Sequence, residues 1–269
     1  MSQYPLDDAY ANGAYIPDAA DYPPRWAQEA EACRAKLAEG GRLQADIPYG
    51  EGARERFDLM MPEAQPQGLC VFVHGGYWRA FDKSSWSQLA AGPLAHGWAV
   101  AMPSYDLCPD VRISDITLQI LRAVTEAAAR VEGPILLAGH SAGGHLVARL
   151  ACENVLPSNV ARRLKHVVPI SPLSDLRPLL QTSMNEDFKM NDAAAEAESP
   201  VLKTRLNVPV TAWVGGDERP AFLDQAQWLA EAWECGHVVE EGLHHFNVIE
   251  ALANPDSLLT QMLINGDRP

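Results

Sequence analysis

Short unbroken apolar runs recur along this chain, each closed by a turn and followed by a segment of helical period. The runs lie at 69–73, 98–102, 134–138, 167–170 and 210–214. Four or five residues in a row, nearly all apolar and without polar alternation, predict strands covered on both faces. Residues 56–61 read as an earlier strand, and His237 opens a last one with Val238, Val239 and Glu240. Between the strands, residues 24–39 predict a helix, with prolines at its start and Gly40 and Gly41 at its end. Residues 114–132 predict another, with Ser114 as N-cap and Ile116, Ile120, Val124, Ala127 and Val131 on one face. Residues 145–150, 221–235 and a segment from about Asn247 complete the helical set. Alternating strands and helices imply a mostly parallel central sheet with helices on both faces.

The turn after 134–138 carries the chemistry. It reads Gly139, His140, Ser141, Ala142, Gly143, Gly144, a G-x-S-x-G match between a strand and a helix. A serine on so sharp a turn needs small neighbours, and the helix starting there aims N–H groups at the reacting atom. The run 69–73 ends in His74, Gly75, Gly76, Tyr77 and Trp78. A tetrahedral oxyanion requires two preorganised N–H donors. Ala142 is expected to supply one, and Gly75 or Gly76 the other. Tyr77 and Trp78 are expected either as an aromatic wall for an aryl substrate or as core filler.

A serine on such an elbow is served by an acid and then a histidine further along the chain. His145 lies too close in sequence, and His166 and His237 open strands. His244 and His245 remain, in the loop after the last strand. The loop after 210–214 offers two adjacent carboxylates, Asp217 and Glu218. The residues alone do not choose within either pair.

These blocks resemble the α/β-hydrolase superfamily, and within it the arylformamidase (kynurenine formamidase)-like and esterase/lipase branch. The H-G-G-Y-W form at His74 to Trp78 is the more specific mark, since many esterases carry H-G-G-G there. Tyr105 to Pro109, Ser174 to Leu179, Glu218 to Phe222 and His245-Phe246 resemble further family segments, so the likeness runs from about Phe57 to Ala251. It implies Ser141 as nucleophile, Glu218 as acid and His245 as base. The acid position departs from the family pattern, which often has Asp followed by Ser, whereas here Glu218 precedes Arg219. The implied reaction is removal of a small acyl group, formyl foremost, from an aryl amide such as N-formylkynurenine. A short-chain carboxylesterase is the same-class alternative, and a non-catalytic binding protein of the same fold is the different-class one.

The rest of the chain narrows this expectation. At 269 residues and 47% hydrophobic content it fits one α/β-hydrolase domain. Residues 1–45 are expected to form an N-terminal arm and helix, and 174–207 a small cap insertion over the site, with a plain surface loop as the alternative for the latter. The arm holds Tyr4, Tyr10, Tyr15 and Tyr22, four of the seven tyrosines, which either approach the site or simply pack on the surface. A formal net charge of −14 argues against nucleic acid and anionic membranes as partners. No signal peptide and no membrane span is expected, since no apolar run approaches about 18 residues. Five cysteines without C-x-x-C fit reduced thiols in a cytoplasmic protein, with Cys70 and Cys152 as core residues. Neither H-E-x-x-H nor Cys–His ligand spacing occurs, so no metal and no cofactor is expected. The expected partner is a small-molecule acyl substrate. The oligomeric state is left open, and a homodimer is compatible with the sequence.

Overall fold

A computed structural model describes residues 3–266. Eight strands form one sheet: β1 (Leu43–Pro48), β2 (Arg56–Met60), β3 (Leu69–Val73), β4 (Ala99–Pro103), β5 (Ile135–His140), β6 (Leu164–Ile170), β7 (Thr211–Gly215) and β8 (Gly236–Glu240). Their order is β1-β2-β4-β3-β5-β6-β7-β8. The pairs β1–β2 and β2–β4 are antiparallel, and every other neighbouring pair is parallel. Nine helices accompany them: α1 (Tyr22–Glu39), α2 (Ala91–Ala95), α3 (Ile113–Arg130), α4 (Ala142–Leu150), α5 (Ser158–Ala161), α6 (Asn185–Phe188), α7 (Asp192–Glu198), α8 (Pro220–Trp233) and α9 (Leu258–Asn265), counted among the described residues.

The apolar runs are unbroken because successive side chains enter opposite cores. Leu69, Val71 and Val73 of β3 join a cluster with Ile116 and Ile120 of α3, Leu146 of α4 and Phe222 of α8. Cys70 and Phe72, between them, join a second cluster with Trp26 of α1 and Leu259 and Leu263 of α9. A strand with both faces covered favours apolar residues at successive positions. Cys70 and Cys152 are buried thiols, as expected. No helix among the described residues is long and apolar enough to cross a membrane.

Several boundaries differ from the sequence expectation, each for a physical reason. The edge strand β1 lies partly inside the expected arm-and-helix region. Its residues are mostly solvent-exposed and carry no apolar alternation, so no pattern announces it. Helix α3 starts at Ile113 rather than after Ser114. Its N-cap is Arg112, whose backbone N–H donates to the Asp115 carboxylate at 2.9 Å, so the acidic residue of the first turn caps it. The segment near Asn247 is a 3-10 turn, Val248–Ala253, and α9 follows it.

A buried charge cluster fastens α1 to the sheet. Asp58 of β2 is fully buried and accepts from Lys83 Nζ at 2.9 Å, from the Arg34 guanidinium of α1 and from the Asp46 N–H at 2.9 Å. Lys83 is itself buried. Removing the carboxylate leaves the buried ammonium only the exposed Asp46 carboxylate, at 2.7 Å, and takes the acceptor from Arg34 and from the Asp46 N–H, so Asp58→Ala is expected to cost about 3–5 kcal/mol of stability, read from a urea titration. A loss below about 1 kcal/mol, the range of exposed pairs, would mean that Lys83 reaches water instead.

Candidate active site

The turn between β5 and α4 places Ser141 in a backbone conformation that side chains seldom adopt, φ 56° and ψ −117°. Such a residue costs on the order of 1–3 kcal/mol and persists only where its surroundings hold it. Here they do. The Ser141 N–H donates to the Ile170 carbonyl at 2.8 Å, and the Ser141 carbonyl accepts from His145 N–H at 3.0 Å. The flanking glycines are required by contact. A Cβ at Gly143 would lie 2.0 Å from the Val73 carbonyl oxygen, and one at Gly139 would lie 2.3 Å from the Gly143 carbonyl oxygen. Ala142 is the first residue of α4, so its N–H has no intrahelical acceptor.

The loop after β3 lies directly against this turn. A Cβ on Gly75 would meet the Ser141 Cβ at 3.0 Å and the His140 carbonyl oxygen at 2.9 Å. Gly76, Tyr77 and Trp78 all have positive φ, at 104°, 51° and 54°. The loop is held from below by Tyr105, whose hydroxyl donates to the His74 carbonyl at 2.9 Å and whose ring stacks on His74 at 4.3 Å. Burial lowers the His74 pKa to about 4, so this ring is a neutral support at neutral pH.

Glu218 and His245 meet beside the turn. His245 Nδ1 is 2.6 Å from Glu218 Oε2, and both side chains are almost wholly buried. The other carboxylate oxygen, Oε1, accepts from the Gly215 N–H at 2.9 Å and from the Ser171 hydroxyl. Asp217 is exposed to solvent. The adjacent histidines part in the same way. His244 Nε2 is 3.1 Å from the Tyr22 hydroxyl, its Nδ1 accepts from the Phe246 N–H, and it takes no part in the carboxylate contact. Phe222 and His140 press on the His245 ring at centroid distances of 4.3 and 4.6 Å.

A cavity of about 460 Å³ opens over these groups. Ser141, His140, His245, Gly75 and Gly76 line its floor side together with Tyr77, and Trp26, Phe81, Trp86 and Phe246 add aromatic surface. Burial, helped by the neighbouring His245, holds the His140 pKa well below that of a free imidazole.

Two expectations need correction here. Trp78 does not line the cavity with Tyr77. It is fully buried and packs edge-on against His145 and Phe188 at 5.1 and 5.5 Å. With both residues at positive φ, the chain sends the two rings to different sides of the loop. Residues 174–207 contribute nothing to the cavity lining, whereas Tyr10, Ala11, Asn12 and Gly13 of the N-terminal arm do. Of these two segments, the arm is therefore the one that forms part of the cavity wall. It is tied down by Tyr77, whose hydroxyl donates to the Tyr10 carbonyl at 2.6 Å, and by Arg219, which pairs with Asp8 at 2.8 Å and lies 3.6 Å over the Tyr15 ring. Sequence reasoning also missed Ser171 and His140. The middle position of G-x-S-x-G could have signalled His140, but nothing local to Ser171 announces a contact 47 residues away. Among the described residues, no cluster of three or more His, Cys, Asp or Glu side chains could hold a metal ion.

Comparison with known proteins fits this geometry. A family profile described as the alpha/beta hydrolase family matches residues 70–263. Kynurenine formamidase of Salmo salar is 32% identical over 238 residues, which is 81% of this chain and 80% of that protein. Kynurenine formamidase of Danio rerio is 28% identical over 237 residues, again 81% and 80% of the two chains. A crystal structure from Silicibacter sp., described as a candidate thioesterase, is 64% identical with a TM-score of 0.95 and covers 97% of this chain and 99% of its own. Esterase B of Lactobacillus rhamnosis shares the fold at 18% identity and a TM-score of 0.63, covering 86% of this chain and 87% of its own. The chain is thus a hydrolase that belongs to the α/β-hydrolase family, where it is similar along most of its length to kynurenine formamidases.

Proposed function

We propose that this protein is a serine hydrolase that removes a formyl or similarly small acyl group from an aryl amide of the N-formylkynurenine type. The observation that carries the reading is the Glu218–His245 contact of 2.6 Å beside the Ser141 turn, within one aromatic-walled cavity. The kynurenine formamidases among its relatives support the choice of substrate class.

Glu218 accepts the Nδ1–H of His245, which leaves the Nε2 lone pair free to act as a base. Ser141 Oγ attacks the acyl carbon, and its proton passes to Nε2. The carbonyl oxygen, now negative, is held by the N–H of Ala142 and that of Gly75 or Gly76. When the tetrahedral intermediate collapses, the C–N bond breaks and His245 returns the proton to the departing aryl amine. Water then attacks the formyl-serine ester with His245 again as base, which releases formate and restores the serine. His140 lies against His245 and stays neutral because it is buried, so it adds no positive charge where an imidazolium forms.

Aromatic walls suit an aryl leaving group, and an aniline departs more readily than an alkylamine. A small acyl group suits a serine lying under a closed glycine loop. The expected result on a substrate panel is turnover of N-formylkynurenine and formanilides, with p-nitrophenyl acetate cleaved in preference to long-chain esters. An acyl thioester belongs in the panel because of the Silicibacter relative. Octanoate or palmitate esters as the best substrates, with formanilides inert, would overturn the formamidase reading and leave a lipase-like one.

A further inference from the structure

Three buried polar atoms without a protein partner belong to residues that line the cavity: Asn12 Oδ1, Trp86 Nε1 and His140 Nε2. Native proteins rarely leave such atoms unpaired, because each costs about 1–3 kcal/mol when it is cut off from water. The three differ in what they offer a ligand. The indole nitrogen of Trp86 only donates, and the role of His140 Nε2 depends on its tautomer. The carboxamide oxygen of Asn12 can only accept.

Asn12 is more than nine-tenths buried, at 7% exposure, and its backbone is fixed on both sides. The preceding turn is closed by Tyr10 N–H to the Leu6 carbonyl and Ala11 N–H to the Asp8 carbonyl, and the Asn12 carbonyl itself accepts from Tyr15 N–H at 3.0 Å. The Tyr77–Tyr10 hydrogen bond and the Arg219–Asp8 pair hold the same segment against the cavity. The backbone that carries this acceptor keeps its place whether or not a ligand is present.

We propose that Asn12 determines specificity, its side-chain oxygen accepting a hydrogen bond from the amide N–H of the aryl substrate. The proposal rests on the aryl-amide reading above and adds to it a reason for preferring amides. An aryl ester of the same shape has no N–H and leaves the Asn12 oxygen unpaired. Sites built around one hydrogen bond discriminate against analogues that cannot make it.

The test compares formanilide, N-methylformanilide and phenyl formate on the wild type and on Asn12→Leu, which keeps the side-chain shape and removes the acceptor. The expected result is a fall in kcat/KM of about 10–100-fold for formanilide. The two substrates without an N–H should change by less than about threefold, within the scatter of an indirect effect. An equal loss on all three would give Asn12 a structural role only, and no loss on any would remove it from recognition. Either result, obtained with a wild type that cleaves formanilide, overturns the proposal and leaves the aryl-amide reading standing. A wild type inert towards formanilide but active on phenyl formate overturns the aryl-amide reading and the Asn12 proposal with it. If Asn12→Leu does not fold, Asn12→Ala reads the same ratio.

Discussion

Ser141→Ala is expected to lower kcat by about 10⁴-fold or more while the protein stays folded. The size of the loss follows from the proposed chemistry. Without Oγ there is no nucleophile, and His245 has no proton to take, so the remaining catalysis comes from the oxyanion donors and from binding. The fold should survive because the change removes one buried atom. Ser141 is 2% exposed, and its backbone is held by the Ile170 and His145 hydrogen bonds, which do not involve the side chain. Alanine also tolerates the positive φ about as well as serine does, since both carry a Cβ. Circular dichroism and a thermal melt of the purified variant check the fold, and turnover of an aryl formamide checks the rate. Near wild-type turnover in a folded variant would remove Ser141 from the chemistry.

The second large effect separates the two adjacent carboxylates. Glu218→Gln is expected to lower kcat by a factor approaching 10⁴. The carboxylate only accepts, and it takes Nδ1–H of His245, the Gly215 N–H and the Ser171 hydroxyl together. A glutamine there brings an NH₂ group. If that group faces His245 it donates to Nδ1, which drives the ring proton to Nε2, where the base needs a lone pair. The developing imidazolium also loses its counter-charge. Asp217→Asn is expected to change kcat by less than about threefold, because Asp217 is exposed and its charge is screened. Both variants are compared by kcat and kcat/KM on one substrate. The reverse pattern would make Asp217 the orienting acid, and two small effects would mean that a third group orients His245.

Features dictated by local physics were the legible ones. Strands β3, β4, β5 and β7 are visible because burial on two faces makes them nearly continuous apolar runs. The Ser141 turn is visible because Gly139 and Gly143 stand where any side chain would strike backbone oxygen. Choosing Glu218 over Asp217 and His245 over His244 needed family likeness, because neighbours in sequence face opposite ways and no periodicity says which faces in. The arm was the least legible part. Its place in the cavity wall depends on Tyr77, Arg219 and Asp8, residues as far as 211 positions apart. Trp78 misled for a related reason: adjacency to Tyr77 does not fix a ring's side of the chain where φ is positive. Asn12 carries no motif at all, and only the burial of its unpaired oxygen marks it.

The most direct measurement is covalent capture of the nucleophile. The folded protein is treated with a fluorophosphonate while aryl formamide turnover is followed, and the modified residue is then located by mass spectrometry of its peptides. The account predicts one adduct per chain, on Ser141, with activity falling in proportion to labelling. Full turnover in protein that carries the Ser141 adduct, or loss of activity with the adduct on any other residue, would contradict it.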